Sequence, residues 1–150
     1  MSKLLLMVAV IFAAGSARAS DKTDVMAAVH QFIDGFNKGD VKAVVAACAD
    51  PASIVDEFPP YVWQGAKACA DWATDFDANS KKEKITDPLV TLGKARHVDV
   101  TGDRAYVVLT ANYTYKQNGK EMAEPGSSIT IALQKVAAVW RMTGWAWSKH

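Results

Sequence analysis

The chain has 150 residues, half of them hydrophobic, with 22% charged residues and five Trp, so it is a folded chain of one-domain length rather than a disordered one. A formal net charge of +1 excludes a protein held to nucleic acid by a general basic field. Five Pro and nine Gly exclude collagen-like and low-complexity chains.

The first residues read as an address. Lys3 precedes an unbroken apolar run from Leu4 to Ala14, and Ala17-Arg18-Ala19 places small residues two apart. That order is a secretory signal peptide over 1–19, cleaved after Ala19. The run is shorter than the ~20 residues that span a bilayer, and no Cys stands at the cleavage point to take a lipid. The expected domain is 20–150, secreted or periplasmic, with no stable membrane span after cleavage. Loss of Lys3 and Arg18 lowers 17 basic residues to 15 against 16 acidic ones, a net −1. Bulk charge therefore names no partner.

Asp21 or Thr23 can cap a first helix. Val25, Val29, Phe32 and Phe36 recur along it at helical spacing, with Met26 and Ile33 beside them. Asn37-Lys38-Gly39 ends that helix, and Asp40 caps a second one, from about Val41 to Ala49. From Ala52 to Phe58 the period changes to two. Ile54, Asp56 and Phe58 then share one face of a strand that Pro59-Pro60 terminates. Tyr61, Val62 and Trp63 form a bulky loop before Gly65. A third helix carries Ala66, Cys69, Trp72, Ala73 and Phe76 on one stripe, and its polar tail from Asn79 to Lys84 is expected to fray.

Strands follow. Val90 to Val100 is the first, then the turn Thr101-Gly102-Asp103. Ala105 to Lys116 alternates well, with Val107, Leu109, Ala111, Tyr113 and Tyr115 on one face. Asn118-Gly119 is a two-residue turn signal. Ser127 to Leu133 and Val139 to Trp147 complete the set. Three helices and then a run of long strands is an α+β order, with a curled antiparallel sheet packed over the helices.

Cys48 and Cys69 are the only cysteines. An even pair in an oxidising compartment favours one disulfide, closing a loop of about 20 residues. The alternative is two buried free thiols.

At this point the chain resembles the nuclear transport factor 2-like superfamily, in its SnoaL-like and ketosteroid isomerase-like branch. Phe32-Ile33-Asp34-Gly35-Phe36-Asn37-Lys38-Gly39-Asp40 resembles that family's first-helix ending and Gly-Asp helix junction. Ala49-Asp50-Pro51-Ala52-Ser53-Ile54-Val55-Asp56 resembles the start of its first strand, and Gln64-Gly65 the turn opening its third helix. The resemblance covers essentially all of the chain after the leader. It implies a cone: a curved antiparallel sheet wrapped on three N-terminal helices, with a pocket at the open end. That pocket serves isomerases, cyclases and dehydratases as well as non-catalytic ligand-binding and partner-binding modules, so fold alone does not give function.

Asp56 is the leading candidate for chemistry. A carboxylate between Ile54 and Phe58 on a core-facing strand face is costly unless it lies in a pocket. Desolvation there raises its pKa, which suits a general base. The resemblance places it independently at the catalytic base of ketosteroid isomerase-like members. The plain alternative is a strand-end carboxylate satisfied by loop amides. The family's oxyanion-hole Tyr falls at Phe32, which cannot donate, and its protonated Asp falls near Ser127 or Ser128. Steroid isomerisation is therefore disfavoured. His97, between Arg96 and Val98, is a weaker acid–base candidate. No spacing of His, Cys, Asp and Glu resembles a metal site, and no phosphate loop or nucleophile elbow is present.

The expected ligand pocket is apolar and lined by Phe32, Phe36, Phe58, Tyr61, Trp63, Trp72, Phe76, Tyr113, Ser127 and Met142. The expected partner is a small apolar molecule, with no cofactor. On the last strand, Trp145 and Trp147 fall on one face, and Trp140, Met142 and Ala146 on the other. Large outward aromatics would make an interface, so a homodimer through the sheet is a further expectation. The competing reading is a non-catalytic interaction or assembly module that uses the outer sheet face.

Overall fold

A computed structural model describes the backbone of residues 13–150 and the side chains from residue 21 onward. Residues 1–12, which hold most of the leader's apolar run, lie outside the described residues. Three helices, α1 (Ala13–Asn37), α2 (Val41–Ala47) and α3 (Ala68–Glu83), pack on one six-stranded sheet. Its strands are β1 (Cys48–Val55), β2 (Val62–Gly65), β3 (Ile85–Thr101), β4 (Arg104–Gln117), β5 (Lys120–Val136) and β6 (Val139–Ser148). The order across the sheet is β2-β1-β6-β5-β4-β3. All neighbours are antiparallel except β1 and β6, which run parallel. Among the described residues, no helix is long and apolar enough to cross a membrane.

Helix α1 runs through Asp21 and Thr23, so neither caps it as expected. Its core face is Val25, Ala28, Val29, Phe32 and Ile33, all buried, with Phe36 at the end of the stripe. The helix stops at Gly39, whose φ of 67° favours a residue without Cβ. Asp40 then caps α2, its Oδ1 accepting the Ala43 N–H at 3.0 Å. Asn37 ties the end of α1 to the sheet: its side-chain amide donates to Val90 O and accepts from Val90 N, both at 2.8 Å. Strand β3 is a sheet edge, and these two bonds satisfy edge groups that no neighbouring strand reaches.

Several elements differ from expectation, among them β3, which begins at Ile85 rather than Val90, and α2, which ends at Ala47 rather than about Ala49. The strand expected over Ala52 to Phe58 starts earlier, at Cys48, and ends at Val55. The segment after it turns back, with Asp56 N–H bonded to Tyr61 O at 3.0 Å and Tyr61 N–H to Phe58 O at 2.9 Å. The supposed loop at Tyr61–Trp63 instead leads into β2, a four-residue edge strand on β1. The tail of α3 is regular helix to Glu83, supported by the i,i+4 pair Asp77–Lys81. Strand β5 begins at Lys120 rather than Ser127, because Pro125-Gly126 forms a bulge opposite Asn112 and does not end the strand.

Strand β6 contains the largest correction. Ala132 pairs with Gly144 and Leu133 with Met142, so Thr143 is an extra residue. One inserted residue reverses the alternation. Trp140 and Met142 point inward before it, and Trp145 and Trp147 point inward after it. The strand therefore has no outward pair of tryptophans. Gly144 also stands where β1 crosses closest. A Cβ on it would lie 2.7 Å from Ser53 O, a backbone atom that cannot turn aside. Gly144→Ala is expected to lower unfolding free energy by about 1–3 kcal/mol, measured by urea titration. An unchanged midpoint would mean that the β1–β6 contact yields easily.

Candidate active site

The cavity is built where the C-terminal end of α1, the middle of α3 and the open end of the sheet meet. Phe36 closes the last turn of the α1 stripe. Trp72 and Phe76 come from successive turns of α3, one turn apart on its buried face. Tyr113 and Tyr115 alternate inward from β4, and Trp145 and Trp147 from β6. These rings pack as one aromatic wall. Trp72 meets Trp145 edge-on at 5.0 Å, Phe36 meets Phe76 edge-on at 5.1 Å, and Tyr113 stacks on Tyr115 at 4.8 Å. They enclose a cavity of about 100 Å³. A dry cavity of about 150 Å³ can hold benzene, so this smaller one takes at most about one ring inside, leaves any further part of a ligand at its open mouth, and cannot enclose a steroid nucleus.

Into this wall the turn after β1 delivers two adjacent carboxyls, Asp56 and Glu57. Asp56 is held from both sides. Its Oδ2 accepts Trp72 Nε1–H at 2.8 Å, and its Oδ1 accepts the Glu57 backbone N–H at 2.8 Å. Burial pushes its pKa above the ordinary 3.8, against the two hydrogen bonds that favour the charged form; the nearby charge of Glu124 adds to the rise.

Glu57 is flanked by Glu124 and Lys149. Glu124 is 8% exposed and arrives through the Pro125-Gly126 bulge, which turns both Glu124 and Ser127 inward. Its Oε1 accepts from Lys149 Nζ and from Tyr115 Oη at 3.4 Å, while its Oε2 meets no donor. Lys149 Nζ also lies 3.6 Å from Glu57 Oε2. The Glu57 carboxyl is pushed up from 4.5 to about 7, first by burial, then by the charge of Glu124, with Lys149 opposing.

The rise at Glu57 has a consequence for stability. An acid whose pKa is higher in the folded protein than in the unfolded chain costs stability once it ionises. The cost is absent below about pH 4.5 and complete above about pH 7. The protein is therefore expected to lose about 1–2 kcal/mol between pH 5 and 8, after discount for a partly exposed group. In Glu57→Gln that loss shrinks. Thermal unfolding across this range checks it, and equal slopes for both proteins would contradict it.

Neutral donors also line the cavity. Tyr113 is 8% exposed, its hydroxyl has no partner, and burial raises its pKa far above the usual tyrosine value. Trp145 Nε1 and Trp147 Nε1 are buried without partners as well. Phe32 does line the wall and, as expected, cannot donate. Tyr113, on a different element, is the hydroxyl the cavity has in its place.

Six of the ten expected pocket residues lie on the wall: Phe32, Phe36, Phe58, Trp72, Phe76 and Tyr113. Four do not. Tyr61 is 54% exposed at the tip of the β1–β2 turn. Trp63 is buried behind Phe58 at 5.0 Å and donates Nε1–H to Asp75 at 2.8 Å. The Ser127 hydroxyl is sealed in the bulge, donating to Glu124 O at 3.4 Å, and Met142 is fully buried in the core. His97 is exposed on the edge strand β3, paired with Val108 and away from the cavity. Glu57 and Glu124 went unread in the sequence, although the Pro125-Gly126 bulge signal was there to be seen. Among the described residues, no group of three His, Cys, Asp or Glu side chains is placed to hold a metal ion.

A curved sheet closed by one long helix, with carboxyls set in an aromatic cavity at its open end, defines the nuclear transport factor 2-like class. Within it, residues 25–149 match the SnoaL-like domain profile, and the chain belongs to that family. Solved structures agree on the fold. A variant of a Mycobacterium tuberculosis protein of unknown function superposes with a TM-score of 0.76 at 13% identity, over 94% of this chain and 78% of that one. A nuclear transport factor 2-like protein with a cystatin-like fold from Novosphingobium aromaticivorans gives 0.73 at 15% identity, over 95% and 91%. A ketosteroid isomerase-like protein from Erwinia carotovora atroseptica gives 0.66 at 19% identity, over 86% and 95%. No curated protein matches the chain in sequence.

Proposed function

We propose that this is a secreted small-molecule-binding domain whose cavity performs cofactor-independent acid–base chemistry, with Asp56 as the base. The observation that carries this reading is the setting of Asp56: a half-buried carboxyl on the wall of an aromatic cavity, both oxygens fixed by N–H donors. Desolvation raises its basicity, and fixed donors hold it in one orientation. Tyr113, kept neutral by its surroundings, supplies a hydroxyl toward an oxygen that gains charge as a proton leaves the substrate.

The direct test is a substrate whose reaction needs only proton removal. In 5-nitrobenzisoxazole the base takes the ring C–H proton, the N–O bond breaks, a nitrile forms and a coloured phenolate leaves. The proton then passes from the carboxyl to water. Turnover above the buffer rate, saturating in substrate and lost in Asp56→Asn, supports the reading. A rate equal to buffer alone overturns it.

Secretion is part of the same proposal. It is supported by the leader pattern over 1–19 and by the bond between Cys48 and Cys69. Cleavage after Ala19 would remove none of the α1 core residues from Val25 onward. A mature chain beginning at Ser20 in the periplasm of an expressing bacterium would establish it. A homodimer through the outer sheet face is a separate proposal, read by sedimentation; that face presents Tyr106 among Thr110, Ser128 and Thr130.

A further inference from the structure

The exposed edge of the cavity has more chemistry than proton removal at Asp56 uses. Three separate chain segments converge there: Glu57 from the turn after β1, Glu124 from the β5 bulge, and Lys149 from the tail beyond β6. Glu57 is a wall residue; Glu124 stands beside it and bonds Tyr115, another wall residue. The Lys149 side chain is 56% exposed and lies just past the end of β6 at Ser148. An alkylammonium on a short, exposed tether thus occupies the space against two carboxyls.

We propose that Glu57 and Glu124 form an ammonium subsite of the cavity, held here by the chain's own Lys149. The ligand is then a compact arylalkylamine whose protonated nitrogen takes the place of Lys149 Nζ. This rests on the reading of the cavity as a small-molecule site. Three observations support it. First, the carboxyls of Asp56, Glu57 and Glu124 lie within reach of one another's charge, and among the described residues Lys149 is the cation paired with Glu57 and Glu124, so an anionic ligand is repelled and a cationic one complements the surplus. Second, Glu124 is more than nine-tenths buried, yet its Oε2 has no donor. An ammonium, with three N–H groups, can serve both carboxyls at once. Third, Tyr113 and Tyr115 stack beside this edge, and their ring faces favour a cation and an aromatic body alike. The cavity volume limits that body to about one ring.

Three ligands of matched size separate the possibilities: benzylammonium, benzyl alcohol and benzoate, titrated calorimetrically into the purified chain at pH 8. Benzylammonium is expected to bind about tenfold more tightly than benzyl alcohol, with benzoate weakest. Lys149→Met, at an exposed position, removes the tethered competitor. It is expected to raise benzylammonium affinity about tenfold and to leave benzyl alcohol unchanged. Glu57→Gln is expected to level the two. Equal binding of benzylammonium and benzyl alcohol, no response to Lys149→Met, or no binding by any of the three overturns the proposal. The 5-nitrobenzisoxazole assay uses a substrate without an ammonium group, so the base assignment at Asp56 stands or falls separately.

Discussion

Asp56→Asn is expected to lower the rate of 5-nitrobenzisoxazole opening by at least about 100-fold at pH 8, the size of effect a positioned general base supplies. The substitution keeps size and shape and removes the lone-pair basicity. It also leaves one amide oxygen where two carboxylate oxygens each accept a bond, from Trp72 Nε1 and from the Glu57 N–H. One donor then loses its partner, at about 1–3 kcal/mol, so the variant's circular dichroism must be checked beside its rate. Trp72→Phe is the companion. It keeps the base and removes the side-chain bond that lowers the Asp56 pKa. The activity should persist within about tenfold, with its rising limb moved to higher pH. A loss in Trp72→Phe as deep as in Asp56→Asn would mean that both substitutions merely collapse the cavity.

The second large effect is in the covalent frame. The paired change Cys48→Ala and Cys69→Ala is expected to cost about 3 kcal/mol of unfolding free energy, or roughly 10 °C in Tm. The bond joins the first residue of β1 to the first turn of α3, across 21 residues of chain, with Cα atoms 6.5 Å apart. Asp56, Glu57 and Phe58 all lie inside that loop. Opening it releases chain entropy in the unfolded state and loosens the turn that presents both carboxyls. Thermal unfolding with and without reductant measures the effect in the unaltered chain. A shift under about 2 °C would show that the β1–β2 and β1–β6 ladders alone hold this segment.

Much of this site was legible in the residues. The helical stripe Val25, Val29, Phe32, Phe36 reads correctly because one buried face with period 3.6 leaves no competing arrangement. The alternation along Val107, Leu109, Ala111 and Tyr113 does the same for β4, where period two holds without interruption from Arg104 to Ala111. Asp56 stood out because a carboxyl on an otherwise apolar face is costly anywhere but a pocket, even though the strand itself ends one residue before it.

What was not legible depends on single inserted residues. Thr143 reverses the parity of β6 and turns Trp145 and Trp147 inward; the visible signal was Gly144, which only a close backbone crossing requires. The strand was expected to begin only at Ser127, whereas Pro125-Gly126 is a bulge within it, and so Glu124 was missed. Strand β2 was read as loop because four residues are too few to display a period. Met142 and Trp63 were placed in the pocket by side-chain type alone. Their elements turn them into the core behind it, where an apolar ring or thioether is equally at home.

The central claim is that Asp56 is a desolvated base on the cavity wall. The most direct measurement is its carboxyl titration, followed by carbon NMR in the unaltered protein, with Asp56→Asn to assign the signal. The account predicts a midpoint well above the ordinary 3.8, since burial outweighs the bonds from Trp72 and Glu57. A midpoint at or below 3.8 would mean that solvent or the N–H donors dominate, and Asp56 would then be a structural carboxylate rather than a base.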